Sequence, residues 1–307
     1  MDRFEQPDVL VLGGGGILGE AWMSSLLAGL AEAGDFDPHG CEAYLGTSAG
    51  SIVAAALTAG VDPRSRLDEL PEQPDVPDEA IGAEAPRPLA RALGHAGRVA
   101  GPLAALTLPY MASGGALLRR AALGRVTPGR RSLAQLGSAV DEWDLDWDGR
   151  LRISAVDMES GRRVMFGEQG APEASVADAV QASCAIPGFF RPIEIGGRRY
   201  VDGGVWSPTS MDRAPAGRGS RVLCLNPTAS LTPSREQPYG AMGLLSRSLA
   251  SIEAAYLERR GVQVEVVAPD AASTAAMAGR LMDGRLRGAT LAAGLAQGRA
   301  LATSKVH

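Results

Sequence analysis

A serine between two glycines is the residue best suited to nucleophilic chemistry in this chain. Ser48 stands between Gly46 and Gly50, after a short apolar run at 43–45 and before a helix-forming run at 51–59. A strand that turns sharply into a helix needs small residues on both sides, because larger side chains would clash there. The hydroxyl at the apex then projects at the positive end of the helix. The pattern predicts a nucleophile, with a serine-capped glycine turn as the alternative interpretation.

A nucleophilic serine needs a group that accepts its proton, and histidine is the usual one. The sequence has only His39, His95 and His307. His39 lies in a Pro-Gly turn, His95 in a separate insertion and His307 at the last position of the sequence. None follows a predicted strand in a way that would aim it at Ser48, so a histidine-based triad is not expected.

A carboxylate at the end of a later predicted strand is the better candidate for the base. Asp202 is followed by Gly203 and Gly204, and because these glycines carry no side chain, a hydroxyl could approach the carboxylate closely. Taken alone, Asp-Gly is also a favoured hairpin turn. Carboxylates are weak bases for serine, so proton removal would accompany attack in a dry, prearranged site. The prediction requires Ser48 and Asp202 to lie within about 2.6–3.2 Å of each other.

A run of glycines after the first predicted strand supplies backbone N–H groups at a helix N-terminus. Residues 13–16 precede a helix predicted over 17–33, and such N–H groups suit an oxyanion hole. The spacing of Gly14, Gly16 and Gly19 also fits the fingerprint of proteins that bind NAD or FAD. That fingerprint expects an acidic residue at the end of the second strand, where this chain has its serine motif. The hydrolase interpretation is therefore favoured, with a nucleotide-binding or regulatory protein as the alternative.

The elements that would position these residues follow a strand-turn-helix order. Two such units occupy the first sixty residues, which predicts a parallel sheet with helices on its faces. Later helices are predicted at 175–183 and 281–301. Later strands, of which the last two are expected to be buried, are predicted at 151–156, 163–166, 191–195, 198–201, 221–225 and 262–267. We therefore expect a single three-layer α/β domain over residues 1–307, with a mostly parallel central sheet.

An insertion separates the second unit from the strand predicted at 151–156. Its composition shifts to Pro, Asp and Glu and then becomes helical, apolar and interrupted by prolines. We interpret residues 62–130 as a helical cap or lid, with ordinary packing helices as the alternative. The apolar stretch at 99–118 is too broken by proline and glycine to predict a membrane span. A peripheral contact with membranes through 89–123 is predicted instead.

The composition argues against several classes of protein. The chain has 307 residues and a formal net charge of −5, which gives no support for nucleic-acid binding. Cys41, Cys184 and Cys224 are odd in number and lie in apolar surroundings, so we expect reduced core residues without disulfides or a metal cluster. Residues 1–8 lack the pattern of a signal peptide, and a cytoplasmic protein is predicted. The oligomeric state is not predicted.

Four segments together resemble the patatin-like phospholipase family, lipid acyl hydrolases with a serine–aspartate dyad. They are the glycine-rich turn 14–19, the serine motif 46–50, the segment 182–190 and the Asp-Gly-Gly motif 202–204. Any one of them is common, but four in the family's order are specific. The resemblance covers the chain from about residue 9 to residue 204.

The resemblance implies a role for each matching residue. Ser48 would be the nucleophile, Asp202 its base, and the oxyanion turn would be formed by Gly14, Gly15 and Gly16. The family's chemistry requires no metal, cofactor or histidine, and its substrates are lipids or other acyl esters. A catalytically silent, lipid-binding relative is the remaining alternative.

Further implications of the resemblance concern the surroundings of the site. Pro187 would shape the loop beside it, with Ser183 and Phe189 packing nearby. This chain departs from the family at Leu18, since the residue before Gly19 is usually Arg or Lys. If that cation helps to hold an anionic head group, an acyl ester in general is a firmer expectation here than a phospholipid.

Overall fold

The structure is a computed structural model that describes residues 5–67, 113–231 and 240–303. Of the insertion predicted at 62–130, the part at 68–112 lies outside the described residues. His95, His307 and most of the apolar stretch at 99–118 also lie outside them. Among the described helices, none combines the length and the apolar run needed to cross a bilayer.

One mixed sheet forms the centre of the molecule. The described strands are β1 (Val9–Leu12), β2 (Ala43–Thr47), β3 (Leu151–Asp157), β4 (Arg163–Phe166), β5 (Ile193–Ile195), β6 (Arg198–Asp202), β7 (Arg221–Leu225) and β8 (Gln263–Val267). Their order is β5-β6-β3-β2-β1-β7-β8, and β4 pairs with β3 off this path. Strands β3, β2, β1, β7 and β8 run parallel, whereas β4 and β6 are antiparallel to β3 and β5 is antiparallel to β6.

Helices cover both faces of this sheet. They are α1 (Gly16–Ala33), α2 (Ala49–Thr58), α3 (Ser113–Leu123), α4 (Ala134–Asp141), α5 (Val176–Cys184), α6 (Gly240–Glu258), α7 (Ala271–Met277) and α8 (Arg287–Thr303). Short 3₁₀ turns lie at 63–66, 203–205, 211–213, 227–230 and 284–286. The helix α4 was not anticipated from the sequence.

The alternation of side chains along β1 explains the three layers. Leu10 and Leu12 point into one core, which they share with α1, α2 and α5. Val9 and Val11 point into a second core on the opposite face, which is shared with α6. A strand covered on both faces reads as a continuous apolar run, as β1 does. The predicted three-layer α/β fold with a mostly parallel sheet is therefore confirmed.

Three expectations about the elements were wrong in detail. The strand β8 is an edge strand with only Val267 buried, because β7 is its one neighbour in the sheet. The last helix begins at Arg287, since the Asp283 carboxylate caps a 3₁₀ turn before it. The hairpin strand predicted from 191 begins at Ile193, directly after Pro192, which has no N–H for a ladder.

The last helix packs along α1. A Cβ atom on Gly298 would lie 2.1 Å from the carbonyl oxygen of Leu26, so the helices α8 and α1 approach through glycine. Gln297 of α8 accepts a hydrogen bond of 2.8 Å from the indole of Trp22 on α1. The sequence beyond the serine–aspartate region therefore contributes to the position of the glycine turn at the start of α1.

Candidate active site

The sharp turn predicted at the serine motif is present between β2 and α2. Ser48 has φ 52° and ψ −123°, a conformation that is uncommon for a residue with a side chain. A Cβ on Gly46 would lie 2.4 Å from Cα of Ser51, and one on Gly50 would lie 1.9 Å from the carbonyl oxygen of Leu12. Both glycines are required because backbone passes through the space that a side chain would fill.

The structure brings the Ser48 hydroxyl and the Asp202 carboxylate together. Ser48 Oγ donates a hydrogen bond of 2.7 Å to Asp202 Oδ2, although the two residues are 154 positions apart. Both side chains are buried. Sheet register explains the meeting, since Thr47 at the end of β2 pairs with Ser154 of β3, and the next residue of β3 pairs with Asp202.

The environment of Asp202 favours its protonated form. Burial raises its pKa to about 6, against the opposing effect of hydrogen bonds from the Ser48 hydroxyl and the Gly204 N–H. The Gly204 N–H donates to Asp202 Oδ1 at 2.7 Å. Gly203 allows close packing, because a Cβ there would lie 2.4 Å from the carbonyl oxygen of Ser154. The carboxylate is thus a stronger base than an exposed aspartate and is oriented through both oxygens.

Ser183 holds the backbone of the candidate nucleophile. Its hydroxyl accepts a hydrogen bond of 2.8 Å from the Ser48 N–H and donates one of 2.7 Å to the Ser154 carbonyl oxygen. The Ser183 side chain is fully buried. The sequence indicated only that Ser183 packs near the site, and a serine in a helix offers no pattern from which this bridging contact could be read.

The glycine turn lies beside the serine, but its N–H groups are not equivalent. A Cβ on Gly14 would be 3.4 Å from Cβ of Ser48. The Gly14 N–H donates to the Pro208 carbonyl oxygen at 2.8 Å, so it is already occupied and does not fit the donor role expected of it. Within the described residues, the N–H groups of Gly15 and Gly16 have no hydrogen-bond acceptor. These two are therefore the candidate oxyanion donors at the start of α1.

Packing from the C-terminal half explains the other glycines of this turn. Cβ atoms on Gly15 and Gly19 would lie 2.6 Å and 3.1 Å from Cβ of Pro227, which follows β7. Gly16 has φ 59°, a conformation that favours glycine. Leu18 is fully buried, and its N–H donates to the Leu281 carbonyl oxygen. Because the residue is leucine, the chain has no basic head-group contact at this position. A cation there would lose its contact with water.

The loop that begins at Ala185 passes beside the carboxylate. The Asp202 N–H donates to the Ala185 carbonyl oxygen at 3.0 Å. Pro187 is buried in this loop, and the half-buried ring of Phe189 packs edge-to-face against Phe190 at 4.7 Å. The guanidinium of Arg131 lies 4.3 Å from the centre of the Phe189 ring. The loop therefore contacts the backbone of Asp202, and two aromatic rings and an arginine lie along it.

Three observations bear on a histidine base, a dinucleotide site and a metal site. His39 contacts the carbonyl oxygen of Leu57 at 3.1 Å, at the far end of α2 from Ser48. The second strand ends at Thr47 and is followed by the serine, so no acidic side chain occupies the position that a dinucleotide ribose would need. In the described residues, no group of three or more His, Cys, Asp or Glu side chains could hold a metal ion.

Comparison with known proteins identifies a family. The model of the patatin-like phospholipase family matches residues 10–214 of this chain. Among solved structures, the crystal structure of VipD from Legionella pneumophila is similar, with a TM-score of 0.40 and 14% sequence identity over 97% of this chain and 67% of that chain. A similarity of that degree carries no argument about function.

Proposed function

This chain belongs to the patatin-like phospholipase family, and from that premise we propose that it hydrolyses the carboxylic esters of lipids, phospholipids among them, through an acyl-serine intermediate. Membership supports lipid acyl hydrolysis in general. The single observation that carries the finer proposal is the 2.7 Å hydrogen bond from Ser48 Oγ to Asp202 Oδ2. Two unoccupied glycine N–H groups in the turn beside Ser48 support it further.

The proposed reaction uses the two side chains as one unit. Ser48 Oγ attacks the ester carbonyl carbon while its proton passes to Asp202, and the N–H groups of Gly15 and Gly16 stabilise the oxyanion. The bond to the alcohol then breaks, and Asp202 returns the proton to the leaving oxygen. Water attacks the acyl-serine, gives its proton to Asp202 and releases the carboxylic acid. Asp202 finally protonates Ser48 Oγ, which restores the starting state.

An aspartate can serve as base here for structural reasons. The pKa of Asp202 is raised, so it differs less from the pKa of the serine hydroxyl and proton transfer is less unfavourable. Burial of the site also strengthens charge interactions with the developing oxyanion. The strained backbone of Ser48 fixes its hydroxyl at the N-terminus of α2, where the helix dipole favours negative charge. These features remove the reorganisation that would otherwise accompany attack.

The experiment that tests the proposal compares lipid extracts treated with wild type and with Ser48→Ala, analysed by mass spectrometry. We expect free fatty acids and the matching deacylated lipids to accumulate only with wild type. The identity of those lipids would also show whether a phospholipid is used in spite of Leu18. Equal product with both proteins, or none with either, would refute the proposed function.

A pH dependence follows from the carboxylate. Asp202 must be ionised to accept a proton, and its pKa is raised to about 6. We therefore expect kcat/KM for a p-nitrophenyl ester to fall about tenfold per pH unit well below pH 6. Circular dichroism at each pH separates this loss from unfolding. Full turnover by the folded protein at pH 4.5 would contradict an aspartate base.

Peripheral contact with a lipid surface is part of the proposal and is supported by α3. Leu123 packs against Val156 and Val201, whereas Leu117 and Leu118 on the same helix are 66% and 65% exposed. Two exposed leucines in the middle of this helix fit shallow burial in a membrane interface. The cap role of residues 62–130 and the cytoplasmic location remain predictions.

A vesicle-binding experiment tests this contact. The double variant Leu117→Ser with Leu118→Ser is expected to bind phosphatidylcholine vesicles containing anionic lipid roughly tenfold more weakly than wild type, because apolar area is lost from the interface. Ile252→Ser, which changes a partly exposed side chain on α6, is the matched control and should leave flotation unchanged. Unaltered flotation of the double variant would exclude this surface.

A further inference from the structure

A buried glutamate outside the dyad contacts the turn that follows the catalytic aspartate. Glu253 lies on α6, on the opposite face of the sheet from α1 and α2, and is 5% exposed. Its Oε2 accepts hydrogen bonds from the Thr209 hydroxyl and, at 2.9 Å, from the Met211 N–H. One carboxylate oxygen therefore holds two points of the turn at residues 207–211.

This turn holds the glycine turn on one side. The carbonyl oxygen of Pro208 accepts the hydrogen bond from the Gly14 N–H at 2.8 Å. The turn itself is tightly folded, because the Ser207 hydroxyl accepts from the N–H groups of Thr209 and Ser210, and Ser210 has φ 50°. A non-glycine residue in that conformation persists only where its surroundings hold it.

The same turn reaches the nucleophile on its other side. The hydroxyls of Ser210 and Ser154 are 3.0 Å apart. The carbonyl oxygen of Ser154 accepts from Ser183, which in turn holds the Ser48 N–H. The turn thus contacts Gly14, which adjoins the candidate oxyanion donors, and reaches the serine backbone through Ser154 and Ser183.

We propose that Glu253 is a positioning residue for this reaction, which acts through the turn at 207–211 to align the glycine N–H groups with Ser48. The proposal rests on the proposed esterase function. In the described residues Glu253 has no hydrogen bond to the dyad or to the glycine turn, so its effect on them passes through the turn at 207–211. Misplacement of reacting groups by about 1 Å can lower a rate by about 10²-fold, which makes such an indirect effect measurable.

The charges around Glu253 determine when it is ionised. Burial raises its pKa most and Asp212 raises it further, whereas hydrogen bonds from Thr209 and Ser207 and the charge of Arg163 lower it. Arg163 pairs with Asp212 through two hydrogen bonds of 2.7 Å and 2.6 Å. The buried thiol of Cys224 also faces the carboxylate. The ionised form, which accepts hydrogen bonds more strongly, gains population as the pH rises.

The test replaces the charge and keeps the shape. Glu253→Gln is expected to lower kcat for a p-nitrophenyl ester about tenfold at pH 8.5 and to leave KM within about twofold, because alignment rather than binding is affected. The ratio of wild-type to variant kcat should shrink toward pH 6.5, where wild-type Glu253 is also less ionised. Glu258→Gln, at an exposed position on the same helix, is the matched control and should behave as wild type.

A second pair of variants tests the same role if Glu253→Gln does not fold. Thr209→Val removes one donor to Glu253 and should lower kcat, whereas Thr209→Ser keeps the hydroxyl and should restore most of it. Wild-type kcat in Glu253→Gln or Thr209→Val, or a loss confined to KM or equal at every pH, would overturn the positioning role. Absence of esterase activity in the wild type would instead refute the proposed function itself.

Discussion

Replacing Ser48 with alanine is expected to lower kcat/KM for p-nitrophenyl and lipid esters by about 10⁴-fold, because no covalent intermediate can form. The residual rate would come from the glycine N–H groups and substrate binding alone. The fold should persist, since the Ser183 hydroxyl still accepts the hydrogen bond from the backbone N–H of residue 48. Steady-state kinetics and thermal unfolding measure the two effects separately.

The matched control for this variant is Ser251→Ala. Ser251 is exposed on α6 and its hydroxyl contacts only the carbonyl oxygen of Arg247 in the described residues. It should retain wild-type kinetics. Retention of full turnover by Ser48→Ala would contradict the assignment of Ser48 as the nucleophile.

Replacing Asp202 with asparagine is expected to abolish turnover to a similar extent while stabilising the fold. Asparagine keeps the shape of the side chain but cannot take the serine proton. The pKa of Asp202 is raised from 3.8 in the unfolded chain to about 6, so folding favours its protonated form. Its ionised form therefore weakens the fold increasingly as the pH rises through this window, by up to about 3 kcal/mol at pH 8.

The stability of Asp202→Asn should consequently exceed that of wild type at pH 8, with the difference vanishing below about pH 4. Denaturant unfolding at both pH values measures this, and Asp141→Asn, an exposed aspartate at the end of α4, is the control. A variant that is inactive and also less stable at pH 8 would point to a structural role for the carboxylate. Retained activity would exclude it as the base.

The parts of this molecule that could be predicted from sequence are those determined by neighbouring residues. The apolar run before Gly13 and the small residues around Ser48 predicted β1, β2 and the turn between β2 and α2. These signals are local because strands, turns and helix starts depend on neighbouring residues. The expectation that Asp202 would face Ser48 came instead from motif order, and the register of β3 against β2 and β6 provides its physical basis.

The parts that could not be predicted depend on contacts between distant segments. In the sequence the Gly14 N–H is equivalent to those of Gly15 and Gly16, whereas in the structure the Pro208 carbonyl oxygen accepts its hydrogen bond. Glu253 lies in an alanine-rich helix with nothing in its sequence to indicate a buried charge. The edge position of β8 likewise depends on strand order, which a run of valines does not reveal.

The most direct test of the central claim is to locate the covalent adduct formed with a fluorophosphonate ester. Intact mass and peptide mapping after brief exposure should show one adduct, on Ser48, formed far more slowly in Asp202→Asn and absent in Ser48→Ala. An adduct on a different serine, or undiminished ester turnover by a protein fully labelled on Ser48, would contradict the account.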